Sequence, residues 1–284
     1  MTGAVVPSET LILDPEEILA GYDAVCELYP HIPPLSHWRA WEYAAYRRFR
    51  AVGRVLDLGC GDGRYFRLIW PEIANVVGVD LNPHVAEMAR GSGVYRTVHS
   101  SPAQSVPEAT GSFEHVFANC SMEHMDDLDQ VLAEIVRCLK PGGTLICSVV
   151  TNRLEEWSPL PKMIALAGYP EAANSLHRDF VDYHHLVNPF SPSDWMAAMR
   201  QAGLVVDVHI PILPWHNSVA FLAMDGLWHV KKEGGGEFGD LIYPSLVKNR
   251  RFPTAFRKIF EGLLDMETDW LDCSGAVFLA RKPG

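Results

Sequence analysis

Val55-Leu56-Asp57-Leu58-Gly59-Cys60-Gly61-Asp62-Gly63 is the stretch that decides the fold. The short apolar run from Arg54 to Leu58 predicts a buried strand, and it ends in a glycine-rich turn, which is how a βαβ unit opens. Glycine lets the backbone turn tightly out of a strand and lets a ligand approach the main chain without a Cβ in the way. The stretch therefore predicts a ligand-binding turn at the end of a parallel strand.

The charges of this turn separate two kinds of ligand. A dinucleotide-binding loop has a third glycine three positions after the second, where this chain has Arg64, and it must accept a pyrophosphate at a helix N-terminus. Asp57 and Asp62 would repel a pyrophosphate and attract a cationic ligand. The turn therefore disfavours NAD, although a glycine turn without a ligand stays open as an alternative.

An acid on a strand followed by G-x-G-x-G resembles the first motif of class I S-adenosylmethionine-dependent methyltransferases, of the methyltransferase-11 type. The resemblance covers residues 53–150, and more weakly 191–212 and 275–282. It implies S-adenosyl-L-methionine as the cofactor, whose sulfonium and ammonium groups suit a carboxylate-bearing loop. The loop residues expected to contact this cofactor are Asp57, Gly59, Cys60, Gly61 and Gly63.

The resemblance implies further cofactor contacts outside the loop. Asp80 and Leu81 follow the second strand about 20 residues after the loop, where an acid accepts hydrogen bonds from both ribose hydroxyls. Asn119 ends the fourth strand, where a backbone contact to the methionine part is expected. Tyr22 looks like the tyrosine that closes over the cofactor in many relatives. The alternatives are a capping role for Asp80, a turn or capping role for Asn119, and a core position for Tyr22.

The segment expected at the adenine departs from the family's pattern. Ser101-Pro102-Ala103-Gln104 stands where relatives show an acid followed by Ala, and Pro102 replaces the acid. The adenine contact is then expected from Ser101, Pro102 and Ala103, with the main-chain N–H of Ala103 reading the ring edge. Gln104 either adds its side-chain amide or is an ordinary surface residue.

Short apolar strands alternate with helices outward from the loop, which predicts a doubly wound, mostly parallel α/β sheet covered on both faces. By the resemblance, seven strands are expected, the last of them antiparallel, with Pro141-Gly142-Gly143 as the stop signal of the helix before strand five. The expected organisation is a helical N-terminal lid segment at 1–52, a cofactor-binding core at 53–150, a cap insertion at 151–190, core at 191–213, a second cap insertion at 214–270 and a last core strand at 271–284.

Composition and charge exclude several classes of protein. Of 284 residues, 48% are hydrophobic and 21% charged, which is the balance of a soluble globular protein. The formal net charge of -11 opposes binding to a phosphate backbone, so no nucleic acid is expected as partner. Six scattered cysteines without C-x-x-C spacing, and the lack of a long apolar run, favour a cytoplasmic protein with no membrane span.

Candidate catalytic residues follow strand five. A segment that leaves this strand emerges at the carboxyl edge of the sheet, beside the expected methyl group. We expect His185, or else its neighbour His184, to take the acceptor's proton, because an imidazole is near its working pKa at neutral pH. Neighbours diverge by about 100° on a helix, so at most one of them acts. Each has the alternative of a structural or solvated histidine.

No metal is expected, because Asp126, Asp127 and Asp129 precede a helix whose dipole they complement, and nothing completes an oxygen site. Aromatic residues in the two caps are numerous enough to line an acceptor pocket or to pack the caps' own core. The favoured hypothesis is a methyltransferase that acts on a small molecule, at an oxygen. Nitrogen or carbon methylation, a protein or RNA acceptor, and a non-catalytic cofactor-binding protein are the alternatives. The sequence does not define the oligomeric state.

Overall fold

The computed structural model describes residues 8–284, and within them a mixed sheet of eight strands runs through the molecule. The expected lid segment at 1–52 thus lies partly outside the described residues. The spatial order of the strands is β1-β7-β8-β6-β5-β2-β3-β4. Their bounds are β1 (Glu9–Thr10), β2 (Val55–Leu58), β3 (Val76–Asp80), β4 (Thr97–Ser100), β5 (Phe113–Asn119), β6 (Leu139–Val150), β7 (Val205–Pro214) and β8 (Cys273–Arg281).

Helices cover both faces of this sheet. Side chains alternate along each strand, so Phe117 of β5 joins one hydrophobic core while Val116 and Ala118 join the other. The helices are α1 (Pro15–Val25), α2 (Pro33–Tyr46), α3 (Arg64–Ile69), α4 (Pro83–Gly91), α5 (Leu128–Cys138), α6 (Arg153–Glu156), α7 (Pro159–Leu166), α8 (Pro170–His184), α9 (Pro192–Gln201), α10 (Trp215–Trp228), α11 (Phe238–Lys248) and α12 (Phe252–Asp265), with a 3-10 turn at Met122–His124.

The doubly wound α/β fold expected from the sequence is confirmed. Strand β8 pairs antiparallel with both β6 and β7, and the other pairs are parallel. One strand was not expected: β1 pairs with β7 through Glu9↔Val208 and Thr10↔His209. Two residues are too few to show the period-2 pattern by which strands are found in a sequence.

The Pro141-Gly142-Gly143 turn lies inside a strand. The preceding helix ends at Cys138, as the stop signal predicts, but β6 begins at once with Leu139 opposite Phe113. The register then shifts, and Thr144 lies opposite His115. The residues between form a bulge, which glycine permits because Gly142 has φ +77°. From the stop signal, this strand is expected to begin only at Thr144, and it begins five residues earlier.

Both cap segments leave the same edge of the sheet. Strands β6 and β7 are each antiparallel to β8, so they run in the same direction as β5 and β2. Helices α6, α7 and α8 follow β6, and α10, α11 and α12 follow β7. Helix α10 packs against α2 and α7. The carboxyl edge of the sheet is therefore enclosed by the N-terminal helices and both caps. Within residues 8–284, no helix is long and apolar enough to cross a bilayer.

Candidate functional site

The three glycines of the loop after β2 have different surroundings. Gly59, Gly61 and Gly63 have φ of +76°, +55° and +78°, a conformation that favours glycine. A Cβ on Gly59 would lie 2.7 Å from that of Ser121, and one on Gly63 would lie 2.5 Å from the ring of Tyr95. A Cβ on Gly61 would meet nothing within 4 Å. Gly61 therefore borders the open space that a ligand needs for a close approach to the main chain.

Asp80 holds this loop from the end of β3. Its Oδ2 accepts a hydrogen bond from the N–H of Gly61 at 3.2 Å, and its Oδ1 accepts one from Asn82 at 2.9 Å. The cap of α4 is Asn82 itself, so the capping alternative for Asp80 does not describe the structure. Each carboxylate oxygen retains a further lone pair for a ligand hydroxyl. Leu81 follows with its side chain 71% exposed.

Asp57 lies beneath the loop, buried, with Tyr95 as its partner. The Tyr95 hydroxyl lies 2.6 Å from Asp57 Oδ2 and 3.1 Å from the carbonyl oxygen of Cys60. Burial raises the pKa of Asp57 to about 7, against the hydrogen bond from Tyr95, and the charge of Asp80 adds to the rise. A cation placed near Asp57 would favour its ionised form. No sequence pattern indicated Tyr95, because it lies in the segment between α4 and β4, 38 positions from Asp57 in the chain.

Two orphaned polar atoms lie in the next loops of the same edge. Within residues 8–284, Ser101 Oγ and Asn119 Oδ1 are buried and have no hydrogen-bond partner. Buried polar atoms are normally paired, so such atoms indicate a missing ligand or water. Together with the open space at Gly61 and the acidic groups beneath the loop, they fit S-adenosylmethionine.

The segment expected at the adenine lies beside Ser101. Pro102 is exposed and Ala103 is half-buried, while the Gln104 amide donates to the Asp126 carbonyl oxygen at 2.6 Å.

Tyr22 lies in the core, away from the expected lid position. It is 1% exposed, its hydroxyl donates to the Pro253 carbonyl oxygen at 3.0 Å, and its ring packs against Phe256 and Phe260. The core alternative accounts for these contacts, because α1 turns this face towards α12. Tyr29, which follows α1, lies nearer the loop than Tyr22 does: burial raises the pKa of its hydroxyl, on which the charges of Arg39, Asp62 and Arg64 also act.

A cavity of about 460 Å³ lies beside these loops. Its walls come from α2, the segment after β5, the end of β6, α6, α8 and α10, which are the two caps and the N-terminal helices. Trp38, Leu154 and Phe221 supply apolar surface, and Glu123 and His184 are among the polar groups. The cavity thus combines a mainly apolar lining with a few polar groups, as small-molecule sites do.

Of the two candidate histidines, only His184 lines this cavity. Its Nε2 lies 2.9 Å from Oδ2 of Asp225 on α10, so the pair joins the two caps. His185 is exposed and has φ +44° at the C-cap of α8, which turns its side chain off the helix face that holds His184. Its carbonyl oxygen lies 3.3 Å from His124 Nδ1. The order of the two candidates is therefore reversed.

Asp225 also faces a second histidine, which the sequence did not single out. His229 Nε2 lies 3.5 Å from Asp225 Oδ1, and His229 Nδ1 lies 2.9 Å from Oε2 of Glu237. Burial alone would raise the pKa of Asp225, but the hydrogen bonds and charges of both histidines lower it. Burial alone would lower the pKa of His229, but Asp225 and Glu237 raise it. Within residues 8–284, no three His, Cys, Asp or Glu side chains are arranged to hold a metal ion.

Glu123 is a buried acid in the cavity wall. It is fully buried, and neither carboxylate oxygen has a hydrogen-bond partner within residues 8–284. Burial raises the pKa of this carboxyl to about 8, so it is largely protonated at neutral pH. Its main-chain oxygen accepts hydrogen bonds from Val187 and Asn188 at 3.0 Å each, which fixes the first cap on the segment after β5.

Arg39 lies between the cofactor loop and the cavity. It lines the cavity, its charge acts on Tyr29 beside the loop, and its Nη1 lies 2.5 Å from Glu42 Oε2. The other carboxylate oxygen of Glu42 accepts hydrogen bonds from Ser148 Oγ at 2.6 Å and Cys120 Sγ at 3.0 Å. The sequence signal that was missed is a charged pair at i and i+3 within the aromatic run of α2, where charges need partners.

Comparison with known proteins agrees with this geometry. A family model described as a methyltransferase domain matches residues 56–147. The ubiquinone biosynthesis O-methyltransferase of Xanthomonas oryzae pv. oryzae is 31% identical over 183 residues, which cover 62% of this chain and 73% of that protein. The demethylmenaquinone methyltransferase of Symbiobacterium thermophilum is 29% identical over 143 residues, 46% of this chain and 55% of that protein.

A solved structure shows the same fold. The S-adenosylmethionine-dependent methyltransferase of Thermotoga maritima, described as a possible histamine N-methyltransferase, superimposes with a TM-score of 0.53 at 20% identity. The match covers 94% of this chain and 98% of that one. The chain belongs to the class I S-adenosylmethionine-dependent methyltransferases. Its residues 56–147 form the matched methyltransferase domain, and S-adenosylmethionine is its cofactor.

Proposed function

We propose that this methyltransferase acts on an oxygen atom of a small molecule held in the cavity of about 460 Å³, with His184 as the base. The observation that carries the proposal is the His184–Asp225 pair, in which Nε2 and Oδ2 are 2.9 Å apart in the cavity wall. An oxygen nucleophile of high pKa gains most from such a base. A nitrogen or carbon acceptor gains less from a general base.

The proposed chemistry follows from the two nitrogens of His184. Bound S-adenosylmethionine supplies a methyl group on a sulfonium, an excellent leaving group, so the protein mainly positions and desolvates the nucleophile. Asp225 accepts the Nε2 proton of His184 in a hydrogen bond, which leaves the lone pair on Nδ1. Within residues 8–284, no hydrogen-bond partner occupies Nδ1. With the cofactor bound, that nitrogen would take the proton of the acceptor hydroxyl, and the hydroxyl oxygen would displace the sulfonium sulfur, which would leave the methyl carbon as the thioether.

Glu123 provides a second polar contact for the acceptor in this proposal. A neutral carboxyl donates a hydrogen bond, and this one is fully buried without a hydrogen-bond partner in residues 8–284, with His124 Nε2 3.8 Å from its Oε1. An acceptor oxygen placed against it would satisfy the group and fix the orientation of the ring or chain that carries the nucleophile. The acceptor is thus proposed to have at least two polar groups, on a body that packs against Trp38, Leu154 and Phe221.

The cofactor contacts proposed from the sequence keep their roles, with two changes. The carboxylate of Asp80 holds the ribose, the main chain at Gly61 is the surface of close approach, and the loops at Ser101 and Asn119 complete the site. Arg39 is added for the cofactor's carboxylate, because its charge acts on Tyr29, which is also influenced by Asp62 of the loop, and because it has donors beyond the one used by Glu42. Tyr22 is left out, because its contacts are those of a core residue.

The nature of the acceptor follows from the cavity and from the relatives. A cavity enclosed by two caps suits a molecule that must be desolvated, and the net charge of -11 disfavours nucleic acid. By their names, one of the two relatives is an O-methyltransferase of ubiquinone biosynthesis and the other is a methyltransferase of demethylmenaquinone. We therefore favour an aromatic hydroxyl compound, with a protein or RNA acceptor as the alternative.

Labelled S-adenosylmethionine tests the proposal. The enzyme is incubated with cell extract and with a panel of phenols and hydroquinones, and the label is then sorted by molecular size and solvent extraction. We expect the label in a small organic-soluble product whose NMR spectrum shows a methoxy carbon. Label in the protein or RNA fraction, or in an N-methyl or C-methyl group, would contradict the proposal. Asp80→Ala serves as the control for transfer that depends on bound cofactor.

A further inference from the structure

We propose that His229 is a positioning residue for the base: it shares the carboxylate of Asp225 with His184 and so sets how strongly His184 holds a proton. Glu237 supports His229 from the outer side. The inference rests on the proposed function only where it calls His184 the base. The electrostatic coupling itself concerns groups that are in contact in the structure.

The geometry forms a chain of four charged or ionisable groups. Asp225 is 6% exposed, and its two oxygens face one histidine each, His184 at 2.9 Å and His229 at 3.5 Å. Glu237 lies 2.9 Å from the far nitrogen of His229. The two imidazole rings are 6.2 Å apart, and the ring of Tyr183 stacks on His229 at 4.2 Å. One buried carboxylate, that of Asp225, therefore contacts two imidazoles, and of these two only His229 also contacts a second carboxylate.

The sign of the coupling follows from these contacts. Glu237 and Asp225 together favour the charged form of His229. A charged His229 neutralises part of the Asp225 charge and repels a second positive charge on His184. His184 is therefore a weaker base with His229 present than it would be with Asp225 alone. A base that holds its proton less strongly returns more readily to the form that accepts a proton.

Other titratable groups face the same cluster and must be held constant. On α8 and its end these are Asp179, Tyr183 and His185, and the segment after β5 contributes Glu123 and His124. The remaining ones are Arg39 on α2, Lys231 after α10 and Asp240 on α11, which is linked to this region through Lys232.

The coupling is measured by NMR titration of the imidazole nitrogens, with S-adenosylhomocysteine bound and no acceptor. The His184 signals are assigned by their loss in His184→Gln. In His229→Gln we expect the pKa of His184 to rise by about one unit, because Asp225 then acts on His184 alone. In Glu237→Gln the rise is smaller, and in Asp225→Asn the pKa falls. A merely structural role would not move His184 in opposite directions.

His177→Gln is the matched control. His177 is on the same helix as His184 and also pairs with a carboxylate, Glu155 at 3.0 Å, but it does not contact Asp225. We expect the pKa of His184 to be unchanged in this variant. An unchanged or lowered pKa in His229→Gln would overturn the inference. If Asp225→Asn does not fold, the pKa of His184 in His229→Gln and in Glu237→Gln still tests the inference.

Turnover separates this inference from the proposed function. With an acceptor from the labelling experiment, the acid limb of kcat against pH should move in the same direction as the pKa of His184 in each variant. If the NMR shifts appear and the acid limb stays fixed, the coupling stands and His184 is not the base. If neither moves, the positioning role of His229 is wrong.

Discussion

The cofactor site and the acceptor cavity are built in opposite ways. The cofactor loops follow β2, β3, β4 and β5, so every candidate contact except Arg39 lies at the carboxyl end of a strand or in the loop directly after it. The cavity instead takes residues from α2, α8 and α10, between Ile32 and His229 in the chain. The first site is fixed by backbone geometry near the residues themselves, and the second only by the packing of distant helices. Changes in the two regions should therefore separate cofactor binding from turnover.

The largest expected effect is on turnover. His184→Gln removes the proposed base, so kcat should fall by about 10²- to 10⁴-fold while the affinity for S-adenosylhomocysteine stays within about twofold. Steady-state kinetics at saturating cofactor and calorimetry measure the two. His185→Gln is the neighbouring control and should keep kcat within a few-fold. Equal losses in both variants would contradict the assignment of the base to His184.

Gly61→Val should act on the cofactor side alone. The branched side chain enters the open space beside the loop, and φ +55° is strained for valine, so cofactor affinity should fall by about 100-fold or more. Gly93→Val is the matched control, because Gly93 also has φ +70° and open surroundings but lies outside the loop. That control should lose stability and keep cofactor affinity. Normal binding by a folded Gly61→Val protein would place the cofactor elsewhere.

Asp80→Ala should weaken cofactor binding by about 1.5–3 kcal/mol, the scale of lost charge-assisted hydrogen bonds. The fold should survive, because the hydrogen bonds to Gly61 and Asn82 are local. Calorimetry gives the affinity and circular dichroism the fold. Asp80→Asn keeps an oxygen for the N–H of Gly61, so it separates the support of the loop from the contact with the ribose. An unchanged affinity in both variants excludes Asp80 from the cofactor site.

The buried Asp57 predicts a pH dependence of cofactor binding. With its pKa raised to about 7, Asp57 is about half ionised at pH 7 in the cofactor-free protein, and a cationic ligand favours the ionised form. Affinity for S-adenosylmethionine should rise by up to about tenfold between pH 6 and 8. Asp57→Asn should remove this contribution to the pH dependence of the affinity. The ligand's own titration affects both proteins equally, so the difference between their pH dependences isolates the effect of Asp57. Identical slopes would contradict the coupling.

The same shift fixes the sign of the effect on folding. The pKa of Asp57 is raised above its unfolded value, so its contribution to stability is present below about pH 4 and is lost as the pH rises through about 7. The cofactor-free protein should therefore lose part of its free energy of unfolding across this window. Urea denaturation at several pH values, with Asp57→Asn beside the parent, measures it.

The smallest effect is expected at Tyr22. Tyr22→Phe removes one hydrogen bond to the Pro253 carbonyl oxygen, so the free energy of unfolding should fall by about 0.5–1.5 kcal/mol. Cofactor affinity should not change. A lower affinity without further loss of stability would restore the lid role that the family resemblance implies for this tyrosine.

The fold could be predicted because its signals are local. The strand before Gly59, the acid at Asp80 and the alternation of strands and helices each follow from a few adjacent residues, and the structure places them where the pattern implies. The two-residue β1 and the early start of β6 were not predicted, since neither has a periodic pattern of its own.

The cavity could not be predicted in the same way. The sequence indicates His184 and His185 as candidates. Which of the two faces the cavity depends on the left-handed C-cap of α8, which a helical sequence pattern does not show. Asp225 and Arg39 look like ordinary charged residues until the packing of α10 and α2 buries them beside their partners. The core contacts of Tyr22 could not be predicted for the same reason, because the helix that covers it begins more than two hundred residues later.

Strand β8 sits between β6 and β7, yet it is synthesised only after residues 215–272. Until then one edge of each of these apolar strands lacks its partner, and such edges invite pairing with other chains. At about 5–20 residues per second, a ribosome needs roughly 3–12 s for this stretch. Helix α10, which supplies Phe221, Asp225 and Trp228 to the cavity, is made in the same interval, so the sheet and the cavity wall both stay incomplete until these residues have been added.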